Sequence, residues 1–444
     1  MKWGVFTSET RRGEAATKSG KSGIYRRGTE YAEIFYFKFS PPRLRASAVN
    51  YPKRSRSGDS AVKQGFKVMD SDIHVREPHD LWARYIEPQF KERAPQFTNV
   101  PDGSSPGVWR FEGKVFPAYI DRPERQRLAK VRRQKAHDRH EELGREVGPE
   151  EERRGEDPKA MLHAMDVEGI DVSIVFRTRA AHVVAVDGLD AKLTAAVCRA
   201  FNNWLADFCS TNRARLKPAA LLPVHDVKLA GAEARRSVKE LGAVALVLPN
   251  QQVNGRPWYD RYYDPLWAEA ERLHVPVAFH GIQMAYQEHL GRRYLDNFAM
   301  AHAVGHPVEM MLALGSMLTG GVFERFPGLT AAFLEGSCSW APWWLWCLDE
   351  RVEKFGDDER FPLKMPPSEY FRRHCYVSVD PDEAVVQYTI KAMGDENIVI
   401  STDWPHDDSA YPRAIETFLQ LDGVSEASKR KILWDNCARL YSIQ

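Results

Sequence analysis

From residue 67 onward the chain settles into a rhythm. Short apolar or β-branched runs recur, and most are followed by a longer stretch with helical periodicity. The short runs lie at 67–74, 172–178, 218–226, 243–250, 276–281, 329–336, 376–380 and 397–403 and read as strands. The segments between them, such as 191–213, 229–241, 265–273, 308–326 and 382–393, read as amphipathic helices. Strands alternating with helices imply parallel pairing through right-handed crossovers. Eight such units predict a closed (β/α)8 TIM barrel rather than an open doubly wound sheet. Glycine and proline punctuate the turns that lead into strands, as in Phe326-Pro327-Gly328 before the sixth.

Two stretches break the rhythm. Close to a hundred residues separate the first strand from the second, an insertion at about 85–157. Within it, residues 123–147 place Arg, Lys, His and Glu on every helical face. A helix that is polar all round is either a solvated insertion or a lid over the barrel mouth. Upstream, residues 1–66 show no sustained periodicity apart from an aromatic patch at 31–39 that suits a short strand or hairpin.

Charge sharpens the division at residue 67. Residues 1–66 carry 14 Lys/Arg against 5 Asp/Glu; since the whole chain is +1, the remainder carries eight net negative charges. The leader reads as a disordered extension or as the product of an early start codon, with Met69 standing just before the first motif; nucleic-acid or membrane contact is the other reading of such a basic segment. No apolar segment follows Arg11-Arg12, so a secretory or twin-arginine signal is not expected. A hydrophobic fraction of 43% is ample for a large core, and no run of about 18 apolar residues suggests a membrane span. The six cysteines lack CxxC spacing and read as buried thiols of a reducing, cytoplasmic protein.

The candidate chemistry lies where acids and imidazoles fall at strand ends, which is where barrel enzymes place catalytic groups. The first strand closes on Asp70, Asp72 and His74, alternate residues that share a face and can enter one cavity together. The fifth ends on His280, and Asp403 follows the fully apolar eighth. Carboxylates and neutral imidazoles are ligands for borderline-hard divalent ions. Asp72, His74, His280 and Asp403, drawn from three strand ends, are therefore expected to share one cation with a position open to water or substrate. Taken singly, each residue has an ordinary structural reading, such as Asp403 capping a helix before Trp404-Pro405.

The pattern resembles the amidohydrolase superfamily, and within it the amidohydrolase-related branch of aminocarboxymuconate-semialdehyde decarboxylase and the resorcylate- and vanillate-type decarboxylases. The resemblance covers residues 67–444. Asp70–Trp82 (DSDIHVREPHDLW), 165–172 (MDVEGIDV), 320–329 (GGVFERFPGL), 333–340 (FLEGSCSW) and 435–441 (DNCARLY) carry it. It implies that Asp72 and His74 occupy the first-strand ligand positions, that His280 is the fifth-strand ligand, and that Asp403 both binds metal and moves a proton. Two positions depart from the branch. Asp72 stands where His or Glu is commoner, and Glu335 stands at the sixth strand end where the decarboxylases carry a His that helps activate water. Glu335 can still act as a general base.

Arg177 at the second strand end is read either as a clamp for a substrate carboxylate or as a surface ion pair. His225, Asn250 and His406 are candidate substrate contacts, and His306 is placed in a helix-capping turn. Trp340, Trp343, Trp344 and Trp346 follow the sixth strand at helical spacing and suit core or an oligomer interface better than a substrate platform. The expected cofactor is one divalent ion, Zn2+ first and Mn2+ second. The expected partners are a small-molecule substrate and, as a homodimer, a second copy, with no nucleic acid or membrane. Non-oxidative decarboxylation of an aromatic or enol-type acid is the leading activity; metal-dependent hydrolysis of an amide, ester or lactone is the alternative. A relative that binds metal or ligand without turnover is the third reading.

Overall fold

Eight parallel strands follow one another around the molecule in chain order, so each crossover returns its strand beside the preceding one. They are β1 (Met69–His74), β5 (Val172–Phe176), β6 (Leu216–Leu221), β7 (Ala245–Pro249), β8 (Val277–His280), β9 (Ala331–Leu334), β10 (Cys375–Val379) and β11 (Ile398–Ile400). The computed structural model describes residues 65–98, 108–116, 134, 155–282, 290, 294, 297–356, 363–406 and 408–443. Closure is made by β1 and the segment leaving β11. The Ser71 hydroxyl donates to the Ile400 carbonyl at 2.5 Å, the Asp403 N–H to Asp72 O at 3.2 Å, and the His74 N–H to Trp404 O at 2.7 Å. The expected TIM barrel is thus realised, and its seam brings the first strand end against the eighth.

Seven of the eight barrel strands are buried at every position, and β6 at all but one. Phe279 and Phe333 stack at 5.1 Å on adjacent strands, and Phe176 lies 4.9 Å from the His280 ring above them. The helices carry their apolar stripes against this core. Ala191–Cys209 starts at Asp190, whose side chain accepts from the N–H groups of Lys192 and Leu193, and Val227–Leu241 is capped in the same way by Asp226. Asp226 therefore begins a helix; the third barrel strand stops at Leu221, short of the 218–226 expected. The helix expected over 308–326 is broken. A π-turn at Val304–Val308 precedes Glu309–Thr319, and Gly321 at φ +66° separates that helix from Val322–Arg325.

The insertion after β1 contains structure that its composition does not announce: a three-stranded antiparallel sheet of β2 (Gln96–Thr98), β3 (Val108–Phe111) and β4 (Lys114–Phe116). Arg93 ties it to the barrel by pairing with Glu112 and with Asp190, each at 3.0 Å. The charged stretch 123–147 lies outside the described residues apart from Gln134, as does the leader up to residue 64. Among the described residues no helix is long and apolar enough to cross a membrane, and the cysteines are unpaired thiols.

Candidate metal centre

β1 delivers two side chains to the mouth and keeps one below it. Its pairing with β5 is irregular between Asp70 and Ile73. Asp72 and His74 face inward at the rim, whereas Asp70 turns aside to accept from Thr402 N–H (3.1 Å), the Thr402 hydroxyl and Asp72 N–H (3.2 Å). The three acids and imidazoles of this strand thus do not share one cavity. Asp70 instead laces β1 to the residue preceding Asp403. Burial pushes its carboxyl up to about 7, against the pull of the Thr402 hydroxyl. Asp70→Ala would strip an acceptor from buried donors on β1 and on the segment that follows β11. A loss of about 2–3 kcal/mol in unfolding free energy is expected, read from urea denaturation; an unchanged midpoint would show that water replaces the carboxylate.

The rim side chains converge. His74 Nδ1–H donates to Arg177 O at 2.7 Å, which leaves the Nε2 lone pair facing Asp72 Oδ1 at 3.1 Å and Asp403 Oδ1 at 3.2 Å. His280 Nε2 stands 2.9 Å from Asp72 Oδ1 and 3.0 Å from Oδ2. Asp72, His74 and His280 are fully buried and offer ligand atoms within 4.8 Å of one another; His74, Glu335, Asp403 and His406 form a second such group that shares His74. Asp403 and Glu335 both sit at φ +55°, sparsely populated for residues with a Cβ and frequent where function dictates geometry.

The donor set fits a divalent cation. His74 Nε2 is buried and has no hydrogen-bond partner, yet two carboxylate oxygens crowd it. Burial opposes charge on Asp72, but His280 and His74 hold its carboxyl below the usual range. Burial likewise opposes protonation of His74, and Asp72 with Asp403 drives its pKa well up; His280 is raised against burial chiefly by Asp72. The cluster demands positive charge. Two protons can meet that demand, and so can one ion bound by neutral imidazoles.

A second layer holds these groups. Glu335 Oε2 lies 2.9 Å from His280 Nδ1, and the Glu335 N–H donates to Ser378 Oγ at 3.1 Å. His406 Nδ1–H donates to Asp403 Oδ1 at 2.7 Å, while Thr178 Oγ1 lies 3.3 Å from its Nε2. Arg177 is buried, not an exposed ion pair: its Nη2 donates to His280 O (3.3 Å) and Gly281 O (3.0 Å). His225 Nε2–H donates to Val186 O at 2.6 Å and Asn250 Nδ2 to Gly305 O at 3.1 Å, so both stand outside the ligand cluster. His306 occupies no capping turn. It lies in the π-turn, buried, and its Nδ1–H donates to the Glu335 carbonyl at 3.2 Å.

Two acids escaped the sequence reading. Asp380, at the end of β10, accepts from Ser337 Oγ at 2.6 Å, and burial raises its carboxyl to about 7, with Glu383 and Asp403 pushing the same way. The strand-end rule that selected Asp403 applies equally to it. Glu77 is fully buried and accepts from the N–H groups of Thr178, Arg179 and Ala180, bracing the loop that presents Arg177. Its role depends on a contact 101 residues away, which no local pattern reveals.

The family described as amidohydrolase matches residues 70–443. A gamma-resorcylate decarboxylase of Polaromonas sp. is 27% identical over 293 residues, 64% of this chain and 86% of that protein. Among solved structures, an amidohydrolase of Mycobacterium avium subsp. paratuberculosis superposes with a TM-score of 0.66 at 22% identity, covering 85% of this chain and 99% of that one. A dihydroxybenzoic acid decarboxylase of Polaromonas sp., solved with bound manganese and 2-nitroresorcinol, superposes with a TM-score of 0.57 at 20% identity, covering 85% and 97%.

Proposed function

The chain belongs to the amidohydrolase family, and from that premise we propose that it is a metal-dependent carboxy-lyase that removes CO2 non-oxidatively from an aromatic or enol-type acid. The observation that carries the reading is the meeting at the rim of two groups that share His74: Asp72, His74 and His280 in one, and His74, Glu335, Asp403 and His406 in the other. The gamma-resorcylate decarboxylase relative supports the reaction class. Asp72, His74, His280 and Asp403 would hold one ion. Zn2+ is our first candidate and Mn2+ the second, since mixed carboxylate and imidazole sites accept both.

A divalent cation bound there would act as a Lewis acid that anchors the substrate's carboxylate and a neighbouring hydroxyl or carbonyl oxygen and stabilises negative charge on that neighbouring oxygen. The protein moves the proton. Burial opposes charge on Asp403, but His406 and His74 hold its carboxyl far below the usual range. In this reading the proton reaches the substrate carbon from His406 through Asp403, across their 2.7 Å contact. The substrate carbon takes that proton, the bond to the carboxylate breaks, its electron pair returns to the conjugated system, and CO2 leaves. In this reading His406 and the guanidinium of Arg177, whose Nε has no hydrogen-bond partner, meet the substrate, and His225 and Asn250 shape the wall behind it.

Glu335 favours a second reading, metal-dependent hydrolysis of an amide, ester or lactone, in which Glu335 or Asp403 takes the proton of the attacking water. Incubating the metal-loaded enzyme with hydroxybenzoates and lactones separates the two. Release of CO2 without acid from the lactones supports the lyase, and acid release from lactones with no CO2 overturns it.

We further propose a cytoplasmic homodimer of the barrel, with residues 1–66 as an extension outside it. Helix Ala341–Phe355 turns Trp344 inward, its Nε1–H donating to Met311 O at 2.9 Å, and leaves Trp343 and Trp346, three residues apart on one side of the helix, each 57% exposed. Grouped exposed aromatics of this kind favour association. Trp343→Lys with Trp346→Lys is expected to convert a dimer into a monomer by sedimentation velocity; a monomeric parent would remove the proposal.

A further inference from the structure

His280 is held between two carboxylates, and the two contacts use different ring nitrogens. Nε2 faces Asp72 Oδ1 at 2.9 Å, and Nδ1 faces Glu335 Oε2 at 2.9 Å. An imidazole that turns the Nε2 lone pair toward an ion shared with Asp72 and His74 must carry its proton on Nδ1. Glu335 Oε2 is closer to that proton than the Gly281 carbonyl, which lies at 3.2 Å. Resting on the metal-centre reading above, we propose that Glu335 is a positioning residue: it acts on the ion through His280, fixing the ring's tautomer and strengthening Nε2 as a donor, and does not itself take a proton from substrate or water.

The surroundings hold Glu335 for that task. Its N–H is tied to Ser378 Oγ at 3.1 Å and its carbonyl to His306 Nδ1–H at 3.2 Å, so both ends of its peptide units are anchored on neighbouring elements. The His306 ring reaches this position only because residue 281 has no side chain. A Cβ on Gly281 would come within 2.3 Å of His306 Nδ1 and 2.7 Å of Glu335 Oε2. Gly281 does not have a positive φ; its need for glycine is space. The ligand and the residue after it thus form one unit, in which His280 supplies the donor atom and Gly281 admits the carboxylate that orients it. Carboxylate partners of ligating histidines commonly tune metal affinity in this way.

The test is metal affinity measured apart from turnover. Metal-free wild type, Glu335→Gln, Glu335→Ala and Gly281→Ala are titrated with Zn2+ and Mn2+ in competition with a chromophoric chelator, and melting of each metal-free form checks the fold. Wild type is expected to bind one ion. Glu335→Ala is expected to weaken binding by about 10–100-fold. Glu335→Gln, whose amide oxygen can still accept from Nδ1–H, should recover part of that loss, and Gly281→Ala should weaken binding by displacing the carboxylate. Wild-type affinity in Glu335→Ala and Gly281→Ala alike would overturn the proposal and leave the metal centre standing. Failure of wild type itself to bind an ion would instead remove the metal-centre reading on which it rests.

Discussion

Asp403→Asn, loaded with metal, is expected to lose about 10²–10⁴-fold in turnover while keeping its fold. Asparagine is nearly the same size as aspartate and tolerates the φ of +55° at this position as readily. The backbone N–H at 403 still donates to Asp72 O, and the amide oxygen still accepts from His406 Nδ1–H, so the barrel seam is preserved. What disappears is the charge. An amide cannot pass a proton from His406 to the substrate, and His74 loses one of the two carboxylates that face its Nε2. Because Asp403 is also a candidate ligand, turnover must be compared at saturating metal with the bound metal measured in the same sample. Activity within a few-fold of wild type at full occupancy would end the proton-carrier role of Asp403, whatever the substrate.

Much of this arrangement can be read along the chain, for a geometric reason. A parallel barrel strand is buried throughout, so a polar residue inside or just beyond an apolar run has few places to go except the rim, and an acid or imidazole there needs a partner. That logic isolates His280 and Asp403 from single positions. It breaks down where the backbone departs from the ideal strand. Strict alternation puts Asp70 with Asp72 and His74, but the irregular pairing with β5 turns Asp70 away to Thr402.

Where a side chain's role depends on a distant partner, sequence pattern is silent. The periodicity over 308–326 does not show the π-turn that carries His306 back to Glu335, because the turn lies ahead of that segment, at Val304–Val308, where Pro307 has no N–H for the regular helical ladder. Composition also misleads in the insertion, where a charged stretch dominates the reading and the small sheet β2–β4 goes unnoticed. Its strands are three or four residues long, shorter than the runs by which periodicity is recognised.

The ion itself is most exposed to change at His280. His280→Ala is expected to lower metal affinity by at least about 10²-fold, since it deletes a ligand outright where loss of a hydrogen-bonded supporting group alone costs about 10–100-fold. His280→Gln restores most of the lost volume without restoring the imidazole, so an equal loss in both variants identifies the missing ligand rather than a void. The pH dependence makes a further distinction. His74 and His280 are both raised by the carboxylates they face, against burial. Below those raised pKa values each ring holds a proton where the ion would bind, so loading strengthens as pH rises through them and weakens as pH falls. Removing His280 removes one competing proton. Between about pH 6 and about pH 8, the affinity of His280→Gln should therefore be weaker throughout yet rise less steeply than that of wild type. Metal content and chelator competition at the two ends of that range decide the matter, and an unchanged slope at undiminished affinity would place the ion away from His280.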